Sequence, residues 1–347
     1  MLDAAFAVPG DLSSPTGGYA YARKLLGLAP EHGLNLIHLR LPGGFPHPSA
    51  NDLAETEHRL AGSPCPILLV DGLAFGALPA DLVRRLPQKV VALVHHPLGL
   101  ESGLPPRRRS ELLASERDAL AEAARVIASS RFTARLLVSE FGVPEEKVAV
   151  AEPGTEPAPR ARGTGDPVRL LAVGAVSPRK GYDVLARALA ELPALDWRLV
   201  IAGSLERDEA SAAALRRAVA ETGLDGRVVL AGAVGEDELE RLYDAADVFV
   251  SPSLFEGYGM VLAEAMARGL PIVASTGGAA AETVPDGAAF KVPPGDVPAL
   301  RDALRDMIAD PDLRRARSDA AWSAGQALPR WSGTAAKVAA ALRETAR

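Results

Sequence analysis

Cysteine is nearly missing from this chain. Cys65 is the only one in 347 residues, which excludes an internal disulfide framework or a thiolate metal cluster and makes a reducing compartment the simpler setting. Long apolar runs are missing too, and none approaches the roughly 18 residues a membrane span needs. The start, Met1-Leu2-Asp3-Ala4-Ala5-Phe6, has an early carboxylate and no basic leader. The expectation is a cytoplasmic protein, neither exported nor membrane-spanning. Positive charge is in deficit, with a formal net charge of −6, whereas a dedicated nucleic-acid binder carries a basic patch or stripe. No Gly-x-Gly-x-x-Gly opens a helix after a strand-like run, which argues against a dinucleotide-dependent dehydrogenase. Asp-x-Asp spacing occurs at Asp310-Pro311-Asp312, but between C-terminal helical stretches, where Pro and acids mark a helix start rather than a metal site.

What remains is the composition of a folded protein, 48% hydrophobic and 24% charged, too long for one ordinary core. Short apolar runs alternate with longer Ala/Leu/Arg/Glu-rich stretches of helical period, as in βα units around a buried parallel sheet. The first set of strand candidates is Leu2–Val8, Leu34–Leu39, Ile67–Val70, Val90–Val94, Val126–Ala128 and Val148–Ala151. The second is Leu170–Val173, Leu199–Ile201, Val228–Leu230, Val248–Val250, Ile272–Ala274 and Ala288–Lys291. Between the sets, residues 152–167 are broken by repeated Pro and Gly and read as a linker. Two α/β domains are expected, 1–160 and 161–325, followed by a helix over 326–347 that packs back on the first.

Chemistry concentrates in Val248-Phe249-Val250-Ser251-Pro252-Ser253-Leu254-Phe255-Glu256-Gly257-Tyr258-Gly259-Met260-Val261-Leu262-Ala263-Glu264. A strand ends at Ser251, a Gly-interrupted turn follows, and a helix starts near Met260. Such a helix start offers backbone N–H groups and a positive dipole end, both suited to a diphosphate. Sugar and ribose hydroxyls are good donors to carboxylates such as Glu256 and Glu264. Apolar neighbours bracket Glu264, which argues against simple solvent exposure. Arg179 and Lys180 stand at a second strand-to-helix turn, Val173-Gly174-Ala175-Val176-Ser177-Pro178-Arg179-Lys180-Gly181, where adjacent cations can neutralise a leaving diphosphate. Gly17-Gly18 separates the first strand from a helix and lets backbone approach a ligand. His95 and His96 directly follow the strand Val90–Val94. Adjacent residues on extended chain point to opposite faces, so the pair makes a poor metal site.

Together these segments resemble the retaining glycosyltransferases of family 4, with their E-x7-E motif, and the likeness runs from about Gly17 to Trp331. It implies the GT-B architecture: two Rossmann-like, doubly wound parallel-sheet domains facing a central cleft. It further implies a metal-independent hexosyltransferase without cofactor, moving a sugar from a nucleoside diphosphate donor to an acceptor hydroxyl with retention. In the family the first Glu contacts donor-sugar hydroxyls and the second the ribose, with turn amides on the phosphates. Those roles fall to Glu256, to Glu264, and to Gly257, Tyr258, Gly259, Met260 and Val261. Arg179 and Lys180 resemble the phosphate-gripping pair, although many members place Arg directly after the first Gly, where this chain has Ala175. Gly17 and Gly18 resemble the loop that faces the donor, and His95, with His96 in reserve, the histidine beside the reacting sugar.

The acceptor, whether glycan, lipid-linked or small molecule, is not legible. Its contacts are expected from a mobile-looking stretch, Leu98 to Arg109, with His96, Glu101 and Arg107 as candidates. Arg107–Arg109 leave room for peripheral contact with the inner membrane face. A pair of degenerate lobes binding a sugar nucleotide or a partner without turnover is the alternative. Intact Glu256, Glu264, Lys180 and Gly17-Gly18 speak against it.

Overall fold

All twelve apolar runs become strands: central ones such as Ile67–Val70 and Val248–Val250 are buried along their whole length, as a parallel sheet covered on both faces requires, while the runs Leu34–Leu39, Val148–Ala151 and Val228–Leu230 are only partly buried. The computed structural model describes residues 1–347. They form two compact units, Met1–Gly154 with Pro329–Arg347, and Thr155–Leu328. The first holds β1 (Leu2–Pro9), β2 (Leu34–Leu41), β3 (Ile67–Asp71), β4 (Lys89–Val94), β5 (Arg125–Ala128) and β6 (Val148–Val150). The second holds β7 (Val168–Val173), β8 (Trp197–Ala202), β9 (Val228–Gly232), β10 (Val248–Ser251), β11 (Ile272–Ser275) and β12 (Ala289–Val292).

Strand order in the first sheet is β2-β1-β3-β4-β5-β6, and in the second β12-β11-β10-β7-β8-β9, every pairing parallel. In each sheet the chain winds outward on one side, then returns to the other side of its starting strand. The direction therefore reverses between β1 and β3, and again between β7 and β10. Open α/β sheets bind ligands in the crevice at such a reversal, beyond the carboxyl ends of the strands. The loops after β1, β3, β7 and β10 are thus where topology alone directs a search.

Domain boundaries differ by a few residues from the expected 160/161 and 325/326. From Thr155 on, the linker belongs to the second unit, where its polar groups are satisfied. Ala161 N donates to Arg268 O at 2.9 Å, Arg162 N to Asp244 O at 3.1 Å, and Arg160 Nη2 to Ser318 Oγ at 2.7 Å. Asp310 accepts the N–H groups of Asp312 and Leu313 at 3.0 and 2.9 Å, so Asp310-Pro311-Asp312 is a helix cap.

The last helix, Trp331–Ala346, belongs to the first unit. Trp331, Ala335, Val338, Ala339 and Leu342 are buried at helical spacing. Its ends are tied down by Thr334 Oγ1 donating to Glu152 O at 2.7 Å and Lys89 Nζ to Thr345 O at 2.8 Å. No helix is long and apolar enough to cross a membrane.

Candidate active site

In the second unit the chain leaves β7 through a 3₁₀ turn, Pro178–Lys180, and enters the helix Tyr182–Ala190. It leaves β10 through the turn before the helix Met260–Ala267. These two turns flank the reversal point and are knitted together. Leu254 N donates to Arg179 O, and Arg179 Nη1 to Phe255 O, both at 2.7 Å. Gly181 (φ 63°) closes the seam, since a Cβ there would stand 2.3 Å from Pro252 O.

Glu256 is held where the turns meet. Its Oε1 accepts from Lys180 Nζ at 2.7 Å and its Oε2 from Arg179 Nη1 at 3.1 Å. Glu256 is 7% exposed and Lys180 9%. Burial by itself would raise the Glu256 carboxyl. The Lys180 ammonium and the Arg179 guanidinium outweigh it, with hydrogen bonds from Lys180 and Ser253, and hold the group down at about 2. Glu256 therefore acts as a permanent acceptor and not as a proton donor. Arg179 and Lys180 converge on the same carboxylate although Ala175 departs from the family pattern.

A second loop fixes the Glu256 backbone. Its N–H donates to Gly277 O at 3.1 Å, and its carbonyl accepts from Ala279 N at 2.8 Å. Gly278 between them has φ 67°, and a Cβ there would meet Glu256 O at 2.3 Å. Gly278→Ala is expected to cost about 2 kcal/mol from backbone strain and to weaken donor binding at least tenfold, both read by thermal unfolding and nucleotide titration.

Gly257, Tyr258 and Gly259 form the approach to the helix. Gly259 sits in the left-handed region and no side chain caps the helix start, so the amides of Met260 and Val261 point outward from its positive end. Tyr258 O accepts from Thr283 Oγ1 at 2.6 Å, steadying the turn. Glu264, one turn into the helix, is half-buried. Burial pushes its carboxyl up, against the Tyr243 hydroxyl, which donates to Oε2 at 2.9 Å. A cavity of about 510 Å³ lies farther along the same sheet edge, at the carboxyl ends of β8 and β9, lined by Ser204, Leu205, Glu206, Arg216, Gly232 and Ala233 among others.

In the first unit Gly17 and Gly18 open the helix Gly17–Leu28, with Thr16 as N-cap. A Cβ on Gly18 would lie 3.7 Å from the His95 ring. That ring stands edge-on to Tyr21, centroids 4.9 Å apart, and its Nε2 is 3.6 Å from Asp71 Oδ2. Ser129 Oγ donates to His95 O at 3.2 Å. His96 turns elsewhere, with Nε2 3.6 Å from Glu101 Oε2. Arg107 is highly exposed and pairs with Glu111 at 2.9 Å.

The stretch from Leu98 leads into a helix, as expected, and starts with an anchored turn. Leu98–Leu100 is a 3₁₀ turn with Leu98 and Gly99 buried, anchored by Glu116 of the helix Pro106–Glu122. Glu116 is 1% exposed, and its Oε2 accepts from Leu98 N at 2.8 Å. Burial pushes the Glu116 carboxyl up to about 8, against the Leu98 and Gly99 amides. A raised carboxyl adds stability that is fully present below its unfolded pKa near 4.5 and fades as pH rises through about 8. Glu116→Gln should therefore leave the melting temperature almost unchanged at pH 5 and raise it by about 5 °C at pH 9.

Asp71, Glu116, Tyr21, Tyr243 and Thr283 were not visible as site residues in the sequence. Asp71 alone carried a signal, a carboxylate ending a fully apolar run just before Gly72. The others meet their partners only through the fold.

The family described as Glycosyl transferases group 1 matches residues 167–310, and Glycosyltransferase Family 4 matches residues 67–158. A D-inositol 3-phosphate glycosyltransferase of Nocardia farcinica is 34% identical over 58% of this chain and 48% of its own length. The chain thus spans about half of that relative. A GDP-mannose-dependent alpha-(1-6)-phosphatidylinositol monomannoside mannosyltransferase of Mycolicibacterium smegmatis is 34% identical over 74% of this chain and 70% of its own. Among solved structures, sucrose-phosphate synthase from Thermosynechococcus elongatus superposes with TM-score 0.85 at 22% identity, covering 99% of both chains. Anabaena HepE in complex with UDP-glucose gives 0.79 at 18% identity, over 99% of this chain and 100% of its own. These structural likenesses speak for the GT-B fold alone. The sequence matches carry the family: the chain belongs to the group 1, family 4 glycosyltransferases.

Proposed function

We propose that the protein transfers a glycosyl residue from a nucleoside diphosphate sugar to an acceptor hydroxyl, with retention of configuration and without a metal ion. The carrying observation is the convergence of Lys180 and Arg179 on buried Glu256 beside an uncapped helix start, at the reversal point of the second sheet. Two fixed cations and a helix dipole supply the positive field that a departing diphosphate needs, which is the part a divalent cation would otherwise play.

Glu256 accepts hydroxyls of the transferred sugar. Both its oxygens already serve Arg179 and Lys180, an arrangement that favours an acceptor for orientation over a nucleophile forming a covalent glycosyl-enzyme. The departing phosphate can then take the acceptor's proton on the face from which it leaves, which retains configuration. Glu264 accepts ribose hydroxyls, and the amides of Met260 and Val261 serve the phosphates. The cavity at the ends of β8 and β9 is the room on this unit for a nucleobase. On the first unit, His95 and the Gly17-Gly18 turn beside it are the proposed site residues.

Curated relatives act on inositol phosphates or phosphatidylinositol mannosides, as their names state, so phosphorylated inositols lead the acceptors to try. The test incubates the full chain in EDTA with UDP-, GDP- and ADP-sugars and such acceptors, and reads nucleoside diphosphate release and the product anomer. Release with one donor, giving the donor's anomeric configuration, is expected. A strict Mg²⁺ or Mn²⁺ requirement, or an inverted product, would overturn the corresponding part.

A further inference from the structure

Glu264 is not a free carboxylate waiting for a ligand. Three residues surround it: Tyr243 and Glu240 from the helix Glu236–Ala245, and Arg268 just past the end of Glu264's own helix, Met260–Ala267. Tyr243 is 1% exposed, stacked on Phe249 with centroids 5.9 Å apart, and covered by the Arg268 guanidinium, 4.4 Å from the ring centre. Arg268 is itself held by an ion pair with Glu240 and by donation from Nη1 to Glu264 O at 3.0 Å. These contacts hold the ring in place, and from that position its hydroxyl donates to Glu264 Oε2 at 2.9 Å.

We infer that Tyr243 is a positioning residue for nucleotide recognition: by occupying Oε2 it locks the Glu264 rotamer and leaves Oε1 as the acceptor for the ribose diol. This rests on the role proposed for Glu264. A carboxylate with one oxygen fixed has already lost the rotational freedom that binding would otherwise have to remove, so the ribose hydroxyls meet a prepared partner. Tyr243 never touches the nucleotide. Arg268 acts one step farther out by clamping the ring, while Lys180, whose charge also reaches Glu264, serves Glu256.

The test uses the full chain and titrates whichever of UDP, GDP and ADP binds most tightly, alongside its 2′,3′-dideoxy form, against wild type, Tyr243→Phe, Glu264→Gln and the double variant. Phenylalanine keeps the ring and its stacking, and a melting curve reports whether each variant is folded. Tyr243→Phe should weaken the ribonucleotide about five- to tenfold and leave the dideoxy form unchanged. Tyrosine loss on top of Glu264→Gln should add almost nothing, since the two residues act as one unit. Equal weakening of both nucleotides by Tyr243→Phe, with Glu264→Gln still discriminating between them, would reduce Tyr243 to a packing residue and overturn the inference. If Glu264→Gln fails to discriminate, the ribose role of Glu264 falls, and the inference falls with it for that separate reason. An unchanged ribonucleotide affinity in Tyr243→Phe also contradicts it.

Discussion

Lys180→Ala is expected to lower turnover by about a hundred- to a thousandfold, the usual consequence of removing one fixed electrostatic donor from a site of developing charge. Lys180 Nζ sits 2.7 Å from Glu256 Oε1 with its side chain only 11% exposed, so bulk water cannot replace it. The variant should still fold, because Arg179 remains 3.1 Å from the other carboxylate oxygen. Lys180→Arg keeps the charge, but a planar fork cannot fit the space of a compact ammonium, and most of the loss should persist. Steady-state kinetics beside a melting curve separate this from misfolding: kcat collapses while the protein stays folded. Undiminished turnover would remove Lys180 from the chemistry.

Glu256→Gln should have the largest effect on stability. The substitution leaves two cations at a buried site without their carboxylate, and breaking such a pair from one side typically costs about 3–5 kcal/mol. The same group governs acid behaviour. Its folded-state value of about 2 lies below the ordinary 4.5, so its contribution is fully present above about 4.5 and disappears as pH falls through about 2. That difference amounts to about 3 kcal/mol. Wild type should therefore lose stability steeply between these values, whereas Glu256→Gln starts lower and declines less over the same window. Acid titrations followed by near-UV circular dichroism check this, and identical slopes in the two proteins would contradict the assignment.

The strands were legible because a parallel sheet covered on both faces demands uninterrupted apolar residues, as Ile67-Leu68-Leu69-Val70 shows with every side chain fully buried. The helix start near Met260 was legible from glycines at the turn, and the cap at Asp310 from Pro beside acids. Glu256, Glu264 and Lys180 stood out at those turns through the resemblance to the family's E-x7-E wording and phosphate-gripping pair, since such residues taken alone read as solvated. Their hydrogen-bond partners did not. Arg179 reaches the Phe255 carbonyl across 76 positions of sequence and Tyr21 the Ala151 carbonyl across 130, and no local pattern encodes such pairs. Glu116 sits in an arginine- and glutamate-rich helix that reads as solvated, yet the turn at Leu98–Leu100 draws it inward to satisfy a backbone amide. The domain border shifted for a similar reason: proline and glycine locate a linker, but only hydrogen bonds to Arg268 and Asp244 decide which unit owns it.

The central claim is that the Lys180, Arg179 and Glu256 cluster holds a nucleoside diphosphate without metal. Isothermal titration of UDP, GDP and ADP into wild type and Lys180→Ala, all in EDTA, tests it most directly. One nucleotide should bind wild type and bind the folded variant at least tenfold more weakly. Equal affinity in both proteins, or no binding of any diphosphate to wild type, would contradict it.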